Sequence, residues 1–173
     1  KTVVYIWRHD VSGAAGVVIN KKCQQPDFKH ICNEGLVHRL PKVNHPVYYG
    51  GPILTNVVGV LHSTDFILTS TNTLTEDKVG FTLDRKMLEV IAKGQGPKNM
   101  LITLGMANWT TGQLEEELEH PRNPAMSWLI MDYDEKFVFG QLDDDKPDDL
   151  WESCVSQAIR NKTKEITGKI FKS

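Results

Sequence analysis

The spacing of apolar residues changes from stretch to stretch along the chain, and each change marks an element. Val3-Val4-Tyr5-Ile6-Trp7 is β-branched and aromatic, which predicts a strand. Arg8 to Gly13 is polar and turn-like, and Gly16-Val17-Val18-Ile19-Asn20 is apolar again, so the two runs are expected to pair as a hairpin. Phe28, Ile31, Leu36 and Leu40 recur at an imperfect helical period, predicting a helix from Asp27 to Leu40 that stops before Pro41. Val47-Tyr48-Tyr49 and Ile53 to His62 read as strands. Gly50-Gly51-Pro52 between them and Gly59 inside the second predict bends or bulges where a sheet turns a corner.

Phe66-Ile67-Leu68 and Val79-Gly80-Phe81 are expected as short strands, with a Ser/Thr/Asn-rich loop from Ser70 to Glu76 between them. Leu83, Met87, Leu88 and Ile91 then form one stripe of a helix, with Thr82 as N-cap and Gly94 just past its end. Met100 to Leu104 has the pattern of a buried strand, Gly105 to Trp109 that of a tight connection, and Thr110-Thr111-Gly112-Gln113 that of a capping box opening a helix to Leu118. Ser127 to Tyr133 and Lys136 to Phe139 flank Asp134-Glu135 as a hairpin whose turn lacks glycine. A last helix, capped by Asp148 or Asp149, buries Leu150, Trp151, Cys154, Val155, Ala158 and Ile159. Hairpins interspersed with separated helices point to α+β rather than a regular βαβ array.

Composition narrows the class. The 173 residues carry 20 Lys+Arg against 22 Asp+Glu, a formal charge of −2, which argues against wrapping nucleic acid by neutralising phosphates. The apolar share of 40% suffices for one core, no repeat or low-complexity linker divides the chain, and a single domain over 1–173 is expected. No apolar run reaches the roughly 18 to 20 residues of a membrane-spanning helix. Three cysteines, Cys23, Cys32 and Cys154, are too few and odd in number for a stapled secreted fold, so free thiols in the cytoplasm are expected. No basic-plus-apolar leader is present, and the chain opens at Lys1 directly into a strand, so its natural N-terminus is expected to be missing or trimmed.

Most chemical motifs are excluded. Gly94-Gln95-Gly96 lacks the third glycine of a dinucleotide fingerprint and follows a helix, and neither a P-loop nor a nucleophile elbow occurs. His62-Ser63-Thr64-Asp65 suggests a triad, but neighbours on a strand face opposite ways and cannot act as base and nucleophile. Cys23, His30, Cys32 and His38 lack the tight knuckle of a structural zinc site, and Asp143 to Asp149 lacks the alternation and central glycine of a calcium loop. No metal, cofactor or catalytic residue is therefore assigned. What remains is Gly105 to Gln113, where a glycine-bearing turn sets Trp109 beside a helix N-terminus, either as an anion-receptive corner or as an ordinary capped helix with a core tryptophan.

That last segment carries a resemblance. Leu104-Gly105-Met106-Ala107-Asn108-Trp109-Thr110-Thr111-Gly112-Gln113-Leu114-Glu115 resembles the L-G-Y-A-G-W-x-x-G-Q-L-E motif of the AlgH/YqgE family. His9-Asp10 through Gly13 to Asn20 is similar to the family's H-N-x-x-G-A-M-G-L-I-I-N, Gly50-Gly51-Pro52 to its G-G-P, and Leu61-His62-Ser63 to its L-H-S. The four blocks fall in order and the resemblance spans about Val3 to Trp151. Departures occur at Lys21-Lys22 in place of Arg-Pro, at Met106 and Asn108 in place of Tyr and Gly, at Asp84 in place of Ser, and at Met126-Ser127-Trp128 in place of Asn-Ala-Trp. The resemblance implies an α+β fold with a bulged, coiled sheet folded toward a barrel and flanked by helices. The family's members are bacterial cytosolic proteins without an established activity, named for a proposed role in regulating alginate synthesis.

The reading that follows is a non-enzymatic binding or regulatory protein. His9, Asn20, Gly51, His62, Ser63, Trp109 and Gln113 are expected to gather around a small polar pocket for a small molecule or a protein. Two alternatives stand beside it: a hydrolase-like or transferase-like enzyme with His9 or His62 as base, and a DNA-binding regulator using the basic run from Arg160 to Lys172. The motifs specify neither the ligand nor the oligomeric state.

Overall fold

A computed structural model describes residues 1–37, 40–74, 78–120, 128–140 and 147–170. The strands are β1 (Val4–Asp10), β2 (Gly13–Val18), β3 (Val47–Tyr49), β4 (Ile53–Ser63), β5 (Asn72–Leu74), β6 (Val79–Thr82) and β7 (Met100–Thr110). The helices are α1 (Phe28–Ile31), α2 (Arg85–Ala92), α3 (Gln113–Glu119), α4 (Glu135–Phe139) and α5 (Pro147–Ile170), with a π-type turn at Cys32–Leu36 continuing α1. The strand order is β1-β2-β7-β4-β6-β5, antiparallel throughout, with β3 added parallel to β7. The first strand curls back against β5 and β6, so the sheet is a nearly closed barrel flanked by helices. The α+β class and the barrel-like sheet expected from the sequence are both present.

β7 organises this curl. Its first half, Met100 to Leu104, pairs with β3 and β4, and its second half, Ala107 to Thr110, pairs with β2. Gly105 stands at the change of partner with φ +75°, and a Cβ there would lie 2.4 Å from the Gly51 carbonyl oxygen. Two backbones therefore touch where the sheet folds, which only glycine permits. A register shift between Ile53 and Val58 of β4 lies opposite this bend, so the corner expected at Gly50-Gly51 is real, while the bulge sits before Gly59 rather than at it.

Alternation assigns each strand two faces. Tyr5, Trp7, Val17, Leu61, Phe81 and Leu101 fill the barrel interior, where Trp7 stacks on Phe81 with centroids 4.5 Å apart. Val138 and Phe139 of α4 and Leu150 and Cys154 of α5 complete that cluster. On the outer face, Val60 and Ile102 pack against Phe28 and Ile31 of α1 and Met87, Leu88 and Ile91 of α2. A third cluster joins Trp109 and Ala14 to Leu114 of α3, with Val4 and Ile6 against it.

Several expected elements differ. The Asp27 to Leu40 helix stops early because Gly35 takes φ +83° and Val37 is extended; His38 lies outside the described residues. Phe66 to Leu68 is not a strand but leads into a turn, and the strand β5 lies within the segment expected as loop. Asp84, not Thr82, caps α2, its carboxylate accepting the Lys86 amide at 2.9 Å. Gly105 to Trp109 is the second half of β7 rather than a tight connection. The expected hairpin at 127–139 is absent: Trp128 to Asp134 is irregular and Lys136 to Phe139 lies in α4. Without a glycine to take positive φ, Asp134 instead serves as an N-cap, accepting the Lys136 amide at 2.9 Å. The last helix begins at Pro147, which loses nothing at a first turn, so Asp148 and Asp149 lie inside it. Asp143, Asp144 and Asp145 of the acidic loop lie outside the described residues.

Candidate functional site

The seven candidate residues separate along β7. His62 pairs with Met100 at one end of that strand, whereas Trp109 pairs with Ala14 at the other. Nine residue steps of strand separate the two, a contour of about 30 Å. His9, Trp109 and Gln113 come together at the Trp109 end; His62 and Ser63 sit at the opposite end; Gly51 lies at the fold between them, and Asn20 at the start of β1. No single pocket takes all seven.

At the Met100 end His62 is fully buried and its ring is fully bonded. Nδ1 lies 2.9 Å from the Ser63 carbonyl oxygen, which can only accept, so Nδ1 carries the proton. Nε2 then accepts the Thr82 hydroxyl at 2.9 Å, Thr82 accepts the Thr71 hydroxyl at 2.8 Å, and Thr71 accepts the Leu68 amide at 2.9 Å. Every proton in this line has one direction. Burial pulls the His62 pKa down, outweighing the Ser63 carbonyl and Asp65, which favour the cation. The Ser63 hydroxyl turns away to Asp65 and Asn99, so His62 touches its neighbour's backbone and not its side chain. That hydroxyl is the main reason the Asp65 carboxyl lies below the usual range. The pair holds a strand end together.

Asn20 is also a brace: its Oδ1 accepts the Val3 amide at 2.8 Å and fixes the start of β1. Gly51 serves the bend, since a Cβ there would lie 2.3 Å from the Met106 carbonyl carbon. Among the motif departures, Met106 is buried in the barrel cluster and Asp84 caps a helix, so both substituted positions have structural tasks.

The Trp109 end is open. β1 and β2 join at Val11 and Ser12, Thr111 donates to the Val11 carbonyl at 3.2 Å, and α3 starts beside them. His9 Nε2 meets Glu115 Oε1 at 2.5 Å, both about half exposed. The Glu115 carboxyl is held below its ordinary range first by its own backbone amide and then by His9. The expected capping box does not form, since α3 is capped by Gly112 with no side-chain bond; Gln113, its first residue, accepts the Thr110 amide through Oε1 at 3.0 Å and donates from Nε2 to Glu117 at 3.3 Å. The other Glu117 oxygen accepts two indole N–H groups, from Trp109 and from Trp128, each at 3.2 Å. The two rings meet edge-on, 6.2 Å apart. This clamp ties the Trp128–Asp134 segment to α3.

Beneath the clamp lies a trough of about 500 Å³ between β1, α3, the Trp128–Asp134 segment and α5. Its walls are chiefly apolar: Ile6, Leu114, Leu118, Val155 and Ala158 line it, with His9 and Trp109 at one end. The size is that of a small-molecule site, and its walls are apolar with a polar rim. A second hollow of about 590 Å³, between α4 and α5, is lined mostly by charged and hydroxyl side chains and opens widely to solvent.

Trp128, Glu117 and the 128–134 segment were not foreseen as parts of a site. Glu117 falls one helical turn after Gln113, and that i, i+4 spacing was the available signal. Trp128 was assigned to a strand, which hid it. Among the described residues no three His, Cys, Asp or Glu side chains assemble as a metal ion would require, and no helix is long and apolar enough to cross a membrane.

Comparison with known proteins gives a consistent result. The model of the AlgH-like family matches residues 1–161. A UPF0301 protein of Bradyrhizobium sp. (strain BTAi1) is 33% identical over 156 residues, covering 86% of this chain and 70% of that protein. A UPF0301 protein of Rickettsia akari is 34% identical over 160 residues, covering 90% and 77%. The solution structure of the AlgH protein from Pseudomonas aeruginosa superposes with a TM-score of 0.71 at 29% identity, covering 92% of this chain and 79% of that one.

Proposed function

The chain belongs to the AlgH-like family, and from that premise we propose that it is a non-enzymatic cytoplasmic binding protein, folded as one domain, that holds its ligand in the trough beside Trp109. One observation carries this reading: Trp109 and Leu114, from the family's longest motif, line an apolar cavity of about 500 Å³ together with His9. A chiefly apolar space of that size holds a small molecule through burial, with few polar groups needed for orientation. The catalytic alternatives have less support. His62 is buried with both ring nitrogens engaged, and among the described residues the group bonded to the His9 ring is a carboxylate, not a hydroxyl or thiol. Three free cysteines, all with raised pKa through burial, agree with a reducing compartment.

Native mass spectrometry of the purified chain, followed by a thermal-shift screen of small molecules, tests the reading. Ligands are expected to stabilise the wild type and to lose that effect in Ala158→Phe, which fills the trough from α5. Stabilisation that survives in Ala158→Phe and disappears in Ser63→Ala would move the site to the other end of β7.

A further inference from the structure

The trough is apolar along its walls and carries carboxylates at its rim. Asp132 and Asp134 line it from the Trp128–Asp134 segment, and among the described residues no ion pair reaches either carboxylate. The charge of Asp134 acts inward. The Tyr133 hydroxyl is pushed up to about 12, first by burial and then by nearby negative charge, with Glu135 ahead of Asp134. The Cys154 thiol is raised by burial and then by Asp134. A cavity with this potential disfavours anions and favours a cation.

The walls also present aromatic faces, and one of them already holds an ammonium. Lys1 Nζ lies 5.1 Å from the centroid of Trp151, a trough-lining ring, and 2.9 Å from Glu152. Aromatic rings beside carboxylates are the usual receptor for alkylated ammonium groups, and their attraction strengthens as water is excluded. The volume suits a small molecule rather than a stretch of polypeptide. The apolar length between Trp151 and Leu114 calls for a hydrocarbon body behind the charge.

We propose that the trough binds a small amphiphilic organic cation, an alkylammonium whose head faces Asp132 and Asp134 and whose chain runs toward Leu114 and Trp109. This rests on the trough being the ligand site and adds the chemical class of the ligand. The bland use of the two carboxylates, solvation of a surface segment and capping of α4, accounts for Asp134 but not for the empty apolar space beside it.

Isothermal titration calorimetry with octyltrimethylammonium, octanol and octanoate separates the possibilities. The cation is expected to bind at least about tenfold more tightly than octanol, with octanoate weakest. In the double variant Asp132→Asn, Asp134→Asn the cation is expected to fall to the level of octanol while octanol itself is unchanged. Asparagine also caps helices, so α4 is retained, and a thermal melt of the variant checks this. Octanol or octanoate binding as well as the cation overturns the ligand class and leaves the trough as the site. Undiminished cation binding in the double variant overturns the role of the two carboxylates, and with it the proposal. Failure of all three probes to bind, or binding that Ala158→Phe does not weaken, overturns the trough itself.

Discussion

At the Met100 end of β7 a buried histidine and two threonines form a line of hydrogen bonds in which each proton has one acceptor. At the Thr110 end a histidine, a glutamine and two tryptophans hold surface carboxylates around the mouth of an open trough. Both ends carry imidazole and amide or hydroxyl groups from motifs of one family, and burial decides their use. A polar side chain taken wholly out of water must spend its hydrogen bonds on the fold, because an unmet one costs about 1–3 kcal/mol. A half-exposed side chain is under no such demand and remains available to a ligand.

The largest effect is expected at the hinge separating the two ends. Gly105→Ala combines positive φ with a backbone clash, and urea denaturation should show a loss of about 3–5 kcal/mol or no folded protein. His62→Ala, which empties a sealed site and orphans the Thr82 hydroxyl, should cost about 2–4 kcal/mol with the trough's ligand affinity unchanged. A milder cut, Thr82→Val, keeps the shape and removes the donor to Nε2, for a loss of about 1–2 kcal/mol.

A pH series sharpens the same contrast. Unfolded histidine titrates near 6.5, and burial holds folded His62 below that value. Between the two values the unfolded chain binds a proton that the folded chain does not, so the stabilisation is complete above about 6.5 and is lost as pH falls toward the folded value. Denaturant midpoints from pH 7.5 to 5 should therefore decline less steeply in His62→Asn than in the wild type. His45, also lowered by burial, keeps part of the slope in the variant. The smallest effect belongs to His9→Ala, where an exposed pair is lost and the denaturant midpoint should stay at the wild-type value. A large loss there would dissolve the distinction between the two ends.

Local pattern conveyed most of the barrel. The β-branched and aromatic run of Val3 to Trp7, the stripe of Met87, Leu88 and Ile91, and the corner at Gly50-Gly51 each depend on residues close in sequence, and each is readable there. Opposite faces for His62 and Ser63 followed from the two-residue period alone. The misreadings came from competition that pattern does not weigh. Asp134-Glu135 fits a turn by composition, but a carboxylate that caps a backbone amide starts a helix. Gly105 looked like the end of a strand because glycine usually is; here it lets one strand change partners and continue. The site was half legible for the same reason. His9, Trp109 and Gln113 belong to recognisable motifs, whereas Trp128 and Glu117 acquire their role only when a distant segment crosses α3.

The meeting of Gly51 and Gly105 has an evolutionary consequence. Each would drive an added Cβ into main chain, not into a side chain that another mutation could shrink. No second-site change elsewhere in the sequence can therefore rescue a substitution at either position, and the two are closed to drift even in a lineage whose ligand has changed completely.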